Sequence, residues 1–134
     1  MIINNATIIL KSGSSVVFYL DYPIEDFPSG GYFGNGSGNN FTITQEGTAP
    51  QSRNFMILEV SNCSTIAFKN SGTFYGVIYA PSTTIDINNV NSGILYGSFV
   101  GETVHFGNNF DLHHDPTLGS NTNPCIIKEW QEVP

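Results

Sequence analysis

Three segments of this chain superimpose at a constant interval. TIAFKN (Thr65–Asn70), TIDINN (Thr84–Asn89) and TVHFGN (Thr103–Asn108) start 19 residues apart, since 84 − 65 and 103 − 84 agree. Four columns keep their character: Thr65, Thr84, Thr103; Ile66, Ile85, Val104; Phe68, Ile87, Phe106; and Asn70, Asn89, Asn108. The two apolar columns alternate with polar residues, the period-two signature of a strand with one buried face. Between these segments a second strand pattern recurs, FYGVIYA (Phe74–Ala80) and LYGSFVG (Leu95–Gly101), with its Gly76 and Gly97 21 residues apart (97 − 76). The two extra residues near Val90 and Asn91 are recovered by two missing ones near Glu102, so the register returns at Thr103.

A repeat near twenty residues that holds short strands and no helical period predicts units stacked so that each buries an edge it could not bury alone. The expected fold is all-β, a single-domain parallel β-solenoid (β-helix) over residues 1–134 with coils of about 19–21 residues. Stacked coils lie about 4.8 Å apart, so the Ile/Val and Phe/Ile columns sit on like residues inside. Asn70, Asn89 and Asn108 share the inward parity and are expected to form an amide ladder at the turns. Upstream, Ala6–Leu10, Ser15–Leu20, Asn40–Ile43 and Asn54–Val60 read as earlier or capping strands. The Gly/Asn-rich stretch at about 21–40 reads as an excursion from one side of the stack, its Gly30–Gly36 portion a loop. Residues at about 116–134 read as a covering segment for one end.

A chain of 134 residues can bury one core without needing disulfides or metal. Four Lys and Arg against 11 Asp and Glu leave a net charge of -7, and the four cations do not cluster, which argues against a nucleic-acid partner. No apolar run reaches membrane-spanning length, and MIINNATIIL lacks the layout of a signal peptide. If the protein is exported, this chain is expected to be part of a longer one. Cys63 and Cys125 leave two arrangements open, one bridge tying the tail to the body or two buried thiols.

The run Phe74–Pro81, then Ile85–Asn89, Tyr96–Val100, Val104–Asn108 and the closing His113–Asp115 resembles the C-terminal domain of PilX-like type IV pilus assembly proteins and related bacterial surface proteins. The match covers about half of the chain and its specificity lies in the order of the fragments. His114 stands where that family tends to place Tyr. The resemblance implies a secreted module carried behind a membrane-anchoring N-terminal helix, with no assigned catalytic residues.

Several constellations bear on chemistry. His113, His114 and Asp115, with His105 a strand earlier, are the one hint of a metal site, but neighbours on a strand face opposite ways. Only His113 and Asp115 could share a metal, and a tight site needs more ligands. A closing turn capped by Asp115 ahead of Pro116 explains the motif better, and no metal or cofactor is expected. Asp21, Glu25 and Asp26 read as a solvated acidic loop rather than a calcium site. A β-helix enzyme acting on polysaccharide needs carboxylates across a cleft; Asp86 and Glu102 face outward on neighbouring coils with nothing else to mark one. The Thr65, Thr84, Thr103 column lacks the parallel second rank of an ice-binding face.

Tyr75, Tyr79 and Tyr96 are the candidate binding residues, since tyrosine offers area and a hydroxyl together; the alternative is that the 21–40 excursion covers them. The expectation is therefore a non-catalytic, extracytoplasmic module for pilus-associated or cell-surface assembly and adhesion, whose partners are surface or pilus proteins and possibly glycans. The alternative is a carbohydrate-binding or carbohydrate-processing β-helix. An exposed aromatic strip with paired carboxylates in a groove would favour the second, a smooth polar face with one apolar patch the first.

Overall fold

A computed structural model of the chain describes residues 6–34, 41–47, 50–70, 73–89, 93–107 and 110–119. The protein is all-β. Among the described residues nine strands follow in order: β1 (Ala6–Leu10), β2 (Val16–Asp21), β3 (Gly31–Gly34), β4 (Phe41–Gln45), β5 (Phe55–Ser61), β6 (Cys63–Asn70), β7 (Thr73–Asn89), β8 (Gly93–Phe106) and β9 (Phe110–His113). Two 3-10 turns, Ser52–Asn54 and Pro116–Gly119, complete the described elements.

Parallel pairing dominates. One ladder runs from β2 through β5 and the first half of β7 to the first half of β8 and then β9. A second runs from β3 through β6 and the second half of β7 to the second half of β8. β1 pairs with β4, and one antiparallel contact, Phe41 with Lys69, joins that pair to the second ladder. The columns read from the repeat are the observed register: Thr65, Thr84 and Thr103 align, as do Ile66, Ile85, Val104 and Phe68, Ile87, Phe106. The change of spacing falls between Ala80 and Thr84, where Pro81, Ser82 and Thr83 stand opposite the single Glu102. Thr83 is fully buried there and donates its hydroxyl to the Cys63 carbonyl at 2.8 Å.

Burial follows the columns only partway along the stack. Ile66, Ile85, Phe68 and Ile87 are buried, whereas Val104 is half-buried and Phe106 is 37% exposed. The reason is topological: β9 continues the first ladder only, so among the described residues no strand pairs beyond the second half of β8. The expectation of three equally buried levels is corrected at the third. Inside, phenylalanine rings link the ladders: Phe33 touches Phe18, then Phe55, Phe74, Phe99 and Phe106 follow, with Phe68 beside Phe74. Centroids in this chain lie 5.1 to 6.2 Å apart, within the range of favourable aromatic pairs.

The repeated Tyr-Gly step has a steric cause. Gly97 has φ +153, and a Cβ there would lie 1.8 Å from the Gly76 carbonyl oxygen on the adjacent strand. Only glycine allows the two strands to approach so closely. Gly34, with φ +128, meets the Ala67 carbonyl in the same way, which explains why part of the stretch read as a loop instead forms β3. The turn before it packs Tyr22 against Phe27 edge-on at 5.0 Å, and the Tyr22 hydroxyl donates to the Tyr32 carbonyl.

Of the expected Asn ladder, the backbone pairing of Asn70 with Asn89 is observed. Their side chains, and Asn108 altogether, lie outside the described residues, as do Cys125 and the segment after Gly119. Cys63 is buried, with its thiol 3.6 Å from the Thr65 carbonyl, and burial pushes that thiol above its ordinary pKa.

Candidate contact surface

The outward sides of the first ladder carry two different kinds of surface. In register, Tyr75 lies beside Tyr96 and Tyr96 beside His113. The tyrosine rings stack at 4.7 Å with an interplanar angle of 8°, and His113 stacks on Tyr96 at 5.2 Å and 27°. One strand spacing is close to one ring spacing, so like residues in register stack with no further arrangement. Rings held face to face present their edges and hydroxyls to solvent. The described part of the 21–40 excursion does not cover them; it packs beside Ser61–Ser64, where Gly31 N–H donates to the Asn62 carbonyl.

A buried carboxylate anchors this stack. Asp115 is 3% exposed and takes the Ser52 N–H at 2.7 Å, the Thr117 N–H at 2.9 Å and the Thr117 hydroxyl at 2.7 Å. Ser52 in turn donates its hydroxyl to the Tyr96 carbonyl at 2.8 Å. Burial pushes the Asp115 carboxyl upward, but the hydrogen bonds from Ser52 and Thr117 outweigh it and hold the pKa at about 2. Tyr75 is raised by burial first, and then by the proximity of Tyr96 and Asp115. Asp115 therefore closes a turn and ties it to the body. His113 lies exposed on Tyr96, so the pair that could have shared a metal is divided between surface and interior. Among the described residues no group of three or more His, Cys, Asp or Glu side chains could hold a metal ion.

Further along the same strands the surface changes. Tyr19, Leu58, Tyr79 and Val100 align in one row, and Val17, Met56, Val77 and Ser98 in the row beside it. Tyr19 is 67% exposed and Tyr79 52%, with Val17 and Val100 near 40%. No side chain in either row is charged. The strand ends beyond Leu58 and Tyr79 lead to an open groove of about 500 Å³ whose lining includes Ser29, Glu59, Ser61, Asn62, Ser64 and Ser82. Its wall is braced: Ser61 donates to Asp21, Asn62 donates to the Phe27 carbonyl at 2.7 Å, and Glu59 accepts the Ser82 N–H at 2.9 Å.

Of the tyrosines singled out from the sequence, Tyr75 and Tyr96 come together and Tyr79 stands apart from them in a different row. Tyr19 and the groove were missed. The signal for Tyr19 was present, because VFYL at 17–20 repeats the apolar alternation of MILE at 56–59 and VIYA at 77–80, but at an interval of about twice the repeat. Asp86 and Glu102 are not opposed: Asp86 pairs with His105, and Glu102 lies three residues earlier, in the register step. Among the described residues no helix is long and apolar enough to cross a membrane.

Parallel ladders around an aromatic core, with two uncharged outward rows on the first ladder, define an all-β domain. The chain matches, over residues 2–121, a family described as a domain of unknown function, DUF7305, and it belongs to that family. No curated protein and no solved structure matches it.

Proposed function

We propose that this domain is a non-catalytic β-solenoid adhesion or assembly module, carried outside the cytoplasm by a longer exported protein in a pilus-associated or other cell-surface setting. The two ladders, stacked at offsets of 19 and 21 residues and closed around a shared core of phenylalanines, support the solenoid reading. The observation that carries the functional reading is the uncharged two-row face with Tyr19 and Tyr79 largely exposed. Contiguous apolar surface of this kind marks interaction sites on monomeric proteins. The order of fragments from Phe74 to Asp115, which resembles PilX-like proteins, supports the setting.

The test is binding of the purified 134-residue chain to the surface of producing cells and to pili sheared from them. Wild-type chain is expected to bind, and Tyr79→Asp to reduce binding several-fold without altering the melting temperature. The same preparations are expected to show no hydrolase or lyase turnover on plant and bacterial polysaccharides, with or without calcium or zinc. Turnover abolished by Asp86→Asn or Asp115→Asn in a folded protein would replace this reading with a β-helix enzyme.

A further inference from the structure

Resting on the reading of this face as adhesive, we infer that the row Tyr19–Leu58–Tyr79–Val100 is a platform for a neutral, β-linked polysaccharide. The strand register sets the spacing. Leu58 lies beside both Tyr19 and Tyr79, so the two tyrosines are two strand spacings apart, about 9.6 Å along the stack. A β-1,4-linked chain of equatorially linked sugars is a flat ribbon in which like ring faces recur once per two-sugar repeat, a length close to that separation. Tyr19 and Tyr79 then meet equivalent sugar faces, with Leu58 beneath the ring between them.

Charge selects among glycans. The two rows contain no charged side chain, and the chain as a whole carries -7. An acidic polysaccharide would be repelled at low salt and would gain no counter-charge on the face. A neutral one loses nothing. The exposed parts of Tyr19, Tyr79, Val17 and Val100 amount to roughly a few hundred Å², below the roughly 800 Å² per partner of a standard stable interface, so a protein bound here would need surface beyond these two rows. A ribbon lying along one row needs far less.

The groove at the end of the row supplies what a sugar edge requires. Ser29 and Ser82 bring hydroxyls next to the apolar platform, and the Ser61 and Ser64 hydroxyls, which donate to Asp21 and to the Gly31 carbonyl, can still accept. By contrast, in the Tyr75–Tyr96–His113 stack the middle ring has both faces covered by its neighbours.

The experiment is retention of the 134-residue chain on insoluble cellulose, chitin and β-1,4-xylan, with starch and polygalacturonate as α-linked and acidic comparisons. Retention on at least one of the first three, little on starch or polygalacturonate, and insensitivity to salt are expected. Tyr79→Ala and Tyr19→Ala should each weaken binding about tenfold or more, the loss of one aromatic contact. Tyr79→Phe should keep most of it, and Ile24→Ala, exposed but off the row, should change nothing. Thermal unfolding checks that each variant folds. The inference is overturned if no neutral β-linked glycan retains the wild-type chain, if starch retains it equally, or if binding survives both alanine variants. A concentration-dependent dimer lost in Tyr79→Ala would assign the face to a second copy and would also overturn it. If glycan retention fails while cell or pilus binding is still lost on changing Tyr79, the adhesive reading stands and this inference alone falls; if both fail, both fall.

Discussion

The two parallel ladders share an interior and differ on the outside. Facing inward, the first carries Phe18, Ile57, Ile78 and Phe99 and the second carries Ile66, Ile85 and Val104, interchangeable sets of apolar residues stacked on one another. Facing outward, the first shows Tyr19, Leu58, Tyr79 and Val100, while the second shows Tyr32, Thr65, Thr84 and Thr103, with Asp86 and His105 in the next row. Burial forces the inner rows to be alike, because any polar group there loses water without gaining a partner. Nothing in the stacking forces the outer rows apart. A threonine row satisfies a solvated β face; a tyrosine-leucine-valine row leaves apolar area in water, at a cost that a contact would recover.

The comparison can be broken most severely from the inside. Ile85→Asp places an unpaired charge at a fully buried position between Ile66 and Val104, and the domain is expected to unfold; circular dichroism and a melting curve decide it. The same change at Val104, half-buried at the end of the second ladder, should be tolerated far better. Equal effects would show that the third level is as enclosed as the second.

A smaller effect sharpens the account of what holds the first ladder's end. The folded-state pKa of Asp115, about 2, lies below the ordinary aspartate value of 3.8. A depressed carboxyl stabilises the fold fully above the unfolded value and loses that contribution as pH falls through the folded one. Stability should therefore drop between about pH 4 and pH 2, by about 2 kcal/mol for this group. In Asp115→Asn that increment of the acid dependence should be missing. An unchanged acid slope would mean that the bonds from Ser52 and Thr117 do not hold the carboxylate in solution.

The smallest effects separate the two outward surfaces of the first ladder. Tyr96→Ala removes a ring stacked on both sides and should lower stability by about 1 kcal/mol. Tyr79→Ala removes a ring that is mostly in water, and its effect should stay within about 0.5 kcal/mol by denaturant unfolding. A larger loss at Tyr79 than at Tyr96 would reverse the assignment of one as structural and the other as a contact.

What could be read before any fold was known is the part governed by strand periodicity. The alternation in TIAFKN, TIDINN and TVHFGN, and its 19-residue interval, determined the parallel register of Ile66 with Ile85 and Phe68 with Ile87, because a shift by one residue would expose every apolar side chain. The step near Glu102 was legible for the same reason, as was the capping role of Asp115 before Pro116. Strand β3 was not, because GYFG has no alternation and owes its place to the close approach of Gly34 to Ala67. Nor could the exposure of the Tyr19–Tyr79 row be read, since an outward Tyr looks the same in sequence whether it stacks on a neighbour, as Tyr75 does, or stands in solvent, as Tyr79 does. Local pattern specifies which face of a strand is buried. Which outward residues become neighbours depends on strands 21 to 39 positions apart being brought side by side, as Tyr79 with Leu58 and Leu58 with Tyr19, and only the tertiary structure decides that.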